Sequence, residues 1–262
     1  MTFPLLQSLI AGPLLINDLP EAPAFPHQAL TLPATFPDLN LHQKLGHLYE
    51  DALALLLETS PRYHLLARNL QIQTDIHTTV GELDFLLRDL AIGQLIHLEV
   101  ATKFYLAVDT PDGLTLPGPD ARDNYFLKLQ RLRSHQLQLP RLFQSHLPEE
   151  FRREAIVTQH LIYGCLFDHL NAPKPATPEF LNPHCRRGKW LHLDDLPQHF
   201  PTTTGFQIIP KPLWPVPLDL LADIPLDPWL PGAKIDRCLM VKAHNEPTPY
   251  FIVPRGYPLN QA

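Results

Sequence analysis

The sequence predicts a single α/β domain, and three observations predict it. A segment with helical spacing is followed by three with strand character, then by a second helix and a further strand. Hydrophobic residues make up 45% of the 262, enough for a sizeable core. Of the thirty prolines, seven fall in residues 1–40 and seven in 210–231, so irregular chain is expected toward the two ends.

Residues 1–40 show no sustained period and read as an irregular arm wrapping the domain. Leu45, Leu48, Ala52, Leu55 and Leu56 recur at helical spacing and predict a helix over 41–58, with Asn40 as its cap and Pro61 as its stop. Strands are expected at Tyr63–Gln73, Glu82–Arg88 and Leu95–Leu106. The Asp112-Gly113 turn and a loop holding Pro117, Gly118 and Pro119 lead to a helix over 121–139, ended by Pro140. Ala155–Phe167 reads as another strand, and Arg237–Val241 with Tyr250–Val253 as a terminal hairpin.

Composition narrows the function classes. Net charge is −6 and the pI about 6.1, so any affinity for nucleic acid must come from a local basic patch. Cys165, Cys185 and Cys238 are scattered and form no Cys-x-x-Cys pair, which fits a reducing, cytoplasmic compartment. No Lys or Arg precedes Lys44, and Pro13 interrupts the early apolar run, so neither a signal peptide nor a membrane span is expected. P-loop, Gly-x-Ser-x-Gly and His-Glu-x-x-His motifs are absent from the sequence.

The most informative stretch is 81–105. On a strand, side chains alternate faces. Leu83, Phe85 and Leu87 then share one face, and Glu82 and Asp84 the other. In the next strand Ile96, Leu98, Val100 and Phe104 share a face, opposite His97, Glu99, Ala101 and Lys103. Carboxylates and a lysine on a mostly apolar sheet are costly to bury unless something pairs them. A hard divalent cation does so, since Mg²⁺ is held by one or two carboxylates with water and phosphate. A salt-bridge network of Asp84, Glu99 and Lys103 with Glu82, Arg88 and His97 satisfies the same spacing.

An acidic pair Asp-x(14)-Glu with a downstream Lys, after a helix bearing Glu50, resembles the PD-(D/E)XK nuclease superfamily. The runs Gly46-His47-Leu48-Tyr49-Glu50, Gly81-Glu82-Leu83-Asp84-Phe85 and His97-Leu98-Glu99-Val100 are similar to a bacterial family known as domain of unknown function 1853. Gln159-His160-Leu161-Ile162-Tyr163-Gly164 and Lys189-Trp190-Leu191 extend that likeness. The resemblance implies a restriction-endonuclease-like core over 41–167: helix, three-stranded hairpin sheet, helix, strand. The 1–40 arm and a C-terminal elaboration over 168–262 would complete one domain, 1–262. It further implies Asp84, Glu99 and the Val100 carbonyl as metal ligands, Glu50 completing the shell, and Lys103 as the catalytic lysine. Here the chain departs from the pattern: the lysine belongs two residues after the Glu, where Ala101 stands, and Lys103 lies roughly 6–7 Å further along the strand.

In the second helix Phe126, Leu129 and Leu132 form an apolar side that Gln136 joins. Asn124, Lys128, Arg131 and His135 form an adjacent polar stripe, suited to backbone phosphates or simply to solvent. Gln136 is positioned either to reach the metal site or a phosphate, or to serve as an interface glutamine. His184, Cys185 and His192, taken with Cys165, His169 or His199, match no familiar zinc spacing. Arg186–Trp190 reads as a basic surface turn closing onto a buried Trp190.

The expected function is Mg²⁺- or Mn²⁺-dependent hydrolysis of phosphodiester bonds in DNA or RNA. Two rivals stand beside it. One is a catalytically degenerate nuclease fold that binds nucleic acid or protein. The other is a small-molecule-binding protein using the His- and Trp-rich C-terminal half.

Overall fold

The computed structural model describes residues 1–258 apart from 233 and 245. The elements run α1 (Thr2–Ala11), α2 (Leu45–Glu58), β1 (Tyr63–Asp75), β2 (Thr78–Asp89), β3 (Gln94–Thr110), β4 (Gly113–Thr115), α3 (Tyr125–Ser134), α4 (Leu139–Phe143), α5 (Glu149–Arg152), β5 (Ile156–His169), β6 (Arg186–His192), α6 (Leu196–His199), β7 (Phe206–Ile208), β8 (Pro228–Trp229), β9 (Leu239–Ala243) and β10 (Pro249–Val253). They build a mixed α/β fold around a ten-stranded, mostly antiparallel sheet of order β1-β2-β3-β5-β6-β10-β9-β7-β8, with β4 paired to β3. Parallel pairing is confined to the centre, where β3, β5, β6 and β10 lie side by side.

Residues 2–11 correct the expectation of an irregular arm. They form α1, whose Leu5, Leu6 and Leu9 are fully or almost fully buried against α2 and the sheet. The arm proper follows, and its path has a physical cause. β6 pairs with β5 only from Cys165 onward, leaving the earlier edge of β5 open. Leu15 N–H donates to Ile162 O at 2.7 Å, Phe25 N–H to His160 O at 2.8 Å, and His160 N–H to Pro23 O at 3.1 Å. The arm thus satisfies backbone groups that would otherwise be buried without partners.

α2 begins at Leu45, four residues later than expected. The Asn40 side chain accepts from the His42 N–H and stabilises a turn there instead of capping the helix. Leu48, Leu53, Leu56 and Leu57 are fully buried on one face of α2, each worth about 1.5–3 kcal/mol. The α1–α2 layer covers the sheet face carrying Leu98, Val100, Phe104 and Leu106. The opposite face, with Ala101, Tyr105 and Ile162, is covered by α3 through Tyr125, Leu129 and Leu132.

The helix expected over 121–139 is shorter. Asn124 caps α3, its Oδ1 accepting from Phe126 N–H at 3.0 Å. His135 leaves helical geometry (φ −131°, ψ −65°), a 3₁₀ turn spans Gln136–Gln138, and Pro140 sits in the first turn of α4, so it begins a helix where it was expected to end one. Arg186–Trp190 is a strand, β6, and no turn. The Trp190 ring is buried, and its indole N–H donates to Ala107 O at 2.8 Å. The terminal hairpin forms with Tyr250 opposite Val241.

Candidate functional site

β2 and β3 pair from Asp89↔Gln94 to Phe85↔Leu98 and then part, while β2 stays bonded to β1 out to Thr78. A cleft opens at that point. Leu86 lies opposite His97, so Asp84 and Glu99, each two residues further along, project from the same face. Asp84 takes over from the ladder: its Oδ2 accepts the Val100 N–H at 2.8 Å. N–H and C=O of one strand residue point to the same side, so the Val100 carbonyl also faces the cleft.

The α3–α4 junction closes the other wall. His135 Nε2 lies 3.0 Å from Val80 O, docking the junction on β2. Gly81 permits the fit, since a Cβ there would come within 2.7 Å of both Leu139 methyl carbons. The 3₁₀ turn then aims Gln136 inward, and its amide Nε2 donates to Glu99 Oε1.

The resulting cavity has a volume of about 420 Å³. Glu50, Asp84, Glu99, Val100, Lys103, Lys128, Arg131 and Gln136 all line it. His135 is the exception among the expected site residues. It is spent on the β2 backbone, because the chain leaves helical geometry there and the stripe of Lys128 and Arg131 ends.

Glu99 is 3% exposed, and its Oε2 has no hydrogen-bond partner. His97 Nε2 lies 3.7 Å away, too far for a hydrogen bond. Burial pushes the Glu99 carboxyl well up, and the charges of Asp84, Glu82 and Glu50 add to this; Arg131 opposes them. Burial likewise raises Asp84 to about 7, reinforced by Glu50 and Glu82 and opposed by the Val100 N–H. Burial holds His97 down at about 3, so it is neutral and supplies no counter-charge.

Lys103 lines the cavity, but its ammonium pairs with Asp123 Oδ2 at 3.0 Å. Asp123 carries no distinguishing sequence signal; it is an Asp just ahead of a helix cap. Glu50 reaches the cavity from α2, with its Oε2 3.5 Å from His47 Nδ1. Among the described residues, no three His, Cys, Asp or Glu side chains converge closely enough to hold a metal ion by themselves. The donors fit a hard cation held more sparsely: the buried Glu99 carboxylate, with one oxygen lacking a hydrogen-bond partner, and the half-buried Asp84, with water completing the shell.

No curated protein and no solved structure matches the chain. Among the described residues, no helix is long and apolar enough to cross a membrane. A family model, the domain of unknown function DUF1853, matches residues 12–253, a span that includes the whole cleft, and the chain belongs to that family.

Proposed function

We propose that this protein is a metal-dependent nuclease-like enzyme that hydrolyses phosphodiester bonds of nucleic acid, on a restriction-endonuclease-like core spanning 41–167. The observation that carries the reading is Glu99: a buried carboxylate with an unpartnered oxygen, lining the same cavity as Asp84. Like charges lining one cavity are unfavourable in the folded protein unless protons or a cation offset them. A bound Mg²⁺ or Mn²⁺ would activate water and neutralise charge developing on the phosphate.

The chain's own groups have separable tasks. Asp84 and Glu99 would hold the cation, with the Val100 carbonyl turned to the same side. Gln136 orients Glu99 by bonding one of its oxygens, leaving the other free. Lys128 and Arg131, at the wall of the cavity, suit backbone phosphates and position a strand without reading its sequence. Three free cysteines, all buried, suit a reducing cytoplasmic setting.

One observation favours a second reading, a degenerate nuclease fold that binds nucleic acid or protein without cutting. Ala101 occupies the position of the superfamily lysine, and Lys103 is paired with Asp123. Incubation of the purified protein with DNA and RNA in Mg²⁺ or Mn²⁺ separates the two. Cleavage that stops with EDTA and is lost in Asp84→Ala and in Glu99→Ala carries the first reading; binding with no cleavage carries the second.

A further inference from the structure

A second cavity, of about 650 Å³, adjoins the carboxylate cleft and shares Gly46, Thr102 and Lys103 with it. Its size falls in the usual range for ligand pockets, about 300–1,000 Å³. The first turn of α2 and the middle of β3 form one wall; the segment after β7 and the start of β9 form the other. That second wall belongs to the C-terminal elaboration, outside the nuclease-like core.

The lining carries cations, an apolar wall and, on the loop that includes Gly118 and Pro119, two carboxylates that are already paired, Asp123 with Lys103 and Asp120 with Arg122. Lys44, Lys211 and Arg237 are exposed cations, in a chain whose net charge is −6. Between them lies an apolar wall of Trp214, Phe104 and Met240. Trp214 is held in place by edge-to-face packing on Phe104 and Phe251, and its indole N–H donates to Ile209 O at 3.0 Å. The Lys211 ammonium stands 5.6 Å from the Trp214 ring centroid.

We infer that this cavity is the binding subsite for a single-stranded stretch of nucleic acid running into the carboxylate cleft, its phosphates on Lys44, Lys211 and Arg237 and a base against Trp214. The inference rests on the nuclease reading for its direction, toward Asp84 and Glu99. Cations interleaved with a fixed aromatic are the combination that binds single strands, because every unpaired base offers an apolar face. A duplex keeps its bases stacked inside and leaves the Trp214 wall unused. Lys103 stands where the two cavities meet, so its displacement from the superfamily position places it between subsite and cleft.

Binding in EDTA tests the subsite apart from cleavage. The probe is a labelled oligonucleotide of about 12 nucleotides, within the range of single-strand site sizes. It should bind more tightly than the same sequence as a blunt duplex, and more tightly than an abasic strand by about tenfold. Lys211→Ala with Arg237→Ala, both exposed side chains, should weaken binding and flatten the slope of log affinity against log salt by about 1.4. Unchanged affinity in the Lys211/Arg237 variant, equal binding of the abasic strand, preference for duplex, or no binding would each overturn the inference. Base-dependent binding without Mn²⁺-dependent cleavage would support the subsite while removing the hydrolytic reading.

Discussion

The carboxylate of Asp84 accepts a hydrogen bond from the backbone N–H of Val100, 2.8 Å away, at the residue where β2 and β3 stop pairing. A side chain has replaced a strand as the partner of β3. The replacement orients Asp84, spares Val100 an unsatisfied N–H, and keeps the cleft open beside Glu99.

The raised carboxyls make metal-free stability depend on pH in a definite sense. Asp84 titrates near 7 when folded and near 4 when unfolded, so between those values the folded state holds the extra proton. Stability then falls as pH rises through that window. Asp84→Asn should therefore stabilise the metal-free protein at about pH 8, by on the order of 1–2 kcal/mol, and much less at about pH 5. Urea unfolding at the two pH values measures this. An equal effect at both would mean that Asp84 does not titrate in that window.

Divalent metal should reverse the trend. Mn²⁺ binding displaces protons from Asp84 and Glu99, so it should raise the melting temperature more at about pH 8 than at about pH 5. At a free concentration of 100 times Kd the stabilisation would be about 2.7 kcal/mol. Glu99→Gln should lose most of it. A metal-induced shift that survives in both Asp84→Ala and Glu99→Ala would locate the cation elsewhere.

Gln136 is the one side chain that hydrogen-bonds Glu99 among the described residues. Gln136→Ala leaves a buried carboxyl with one partner fewer and should destabilise the protein by about 1–3 kcal/mol. In the nuclease reading it should also raise the apparent metal Kd, because Glu99 is free to turn. A variant as stable and as metal-responsive as the wild type would reduce Gln136 to a bystander.

Lys103 and Asp123 form a half-exposed pair, worth about 0–1 kcal/mol. Lys103→Ala should therefore leave the melting temperature nearly unchanged, and its effect on cleavage can be read directly. A loss of tenfold or more, about 1.4 kcal/mol in the barrier, would assign the lysine a part in the chemistry. Unchanged cleavage would remove it.

For Lys128 and Arg131 the readout is salt. Lys128→Ala with Arg131→Ala should weaken binding of nucleic acid and flatten its salt dependence, since two fewer phosphates release counterions. An unchanged slope would assign the stripe to solvent.

Alternation along two strands was sufficient to place Asp84 and Glu99 on a common face, and helical spacing was sufficient to place Leu48 to Leu56 against the sheet. Both patterns are local, set by the period of 2 or 3.6 that any strand or helix imposes. The hairpin of β9 and β10 was legible for the same reason. What tertiary structure decided is everything that depends on partners far apart in sequence. α1 is a helix, its Pro4 accommodated in the first turn where no N–H is needed, because Leu5, Leu6 and Leu9 find α2 to pack on. β6 is a strand because the far edges of β5 and β10 flank it. His135 serves the Val80 carbonyl and Lys103 serves Asp123, both pairings across separate elements that no spacing rule encodes. The sequence by itself determined which charges are brought near one another; only the folded chain decided which of them are already paired and that Glu99 keeps one oxygen free, because pairing depends on distances in space.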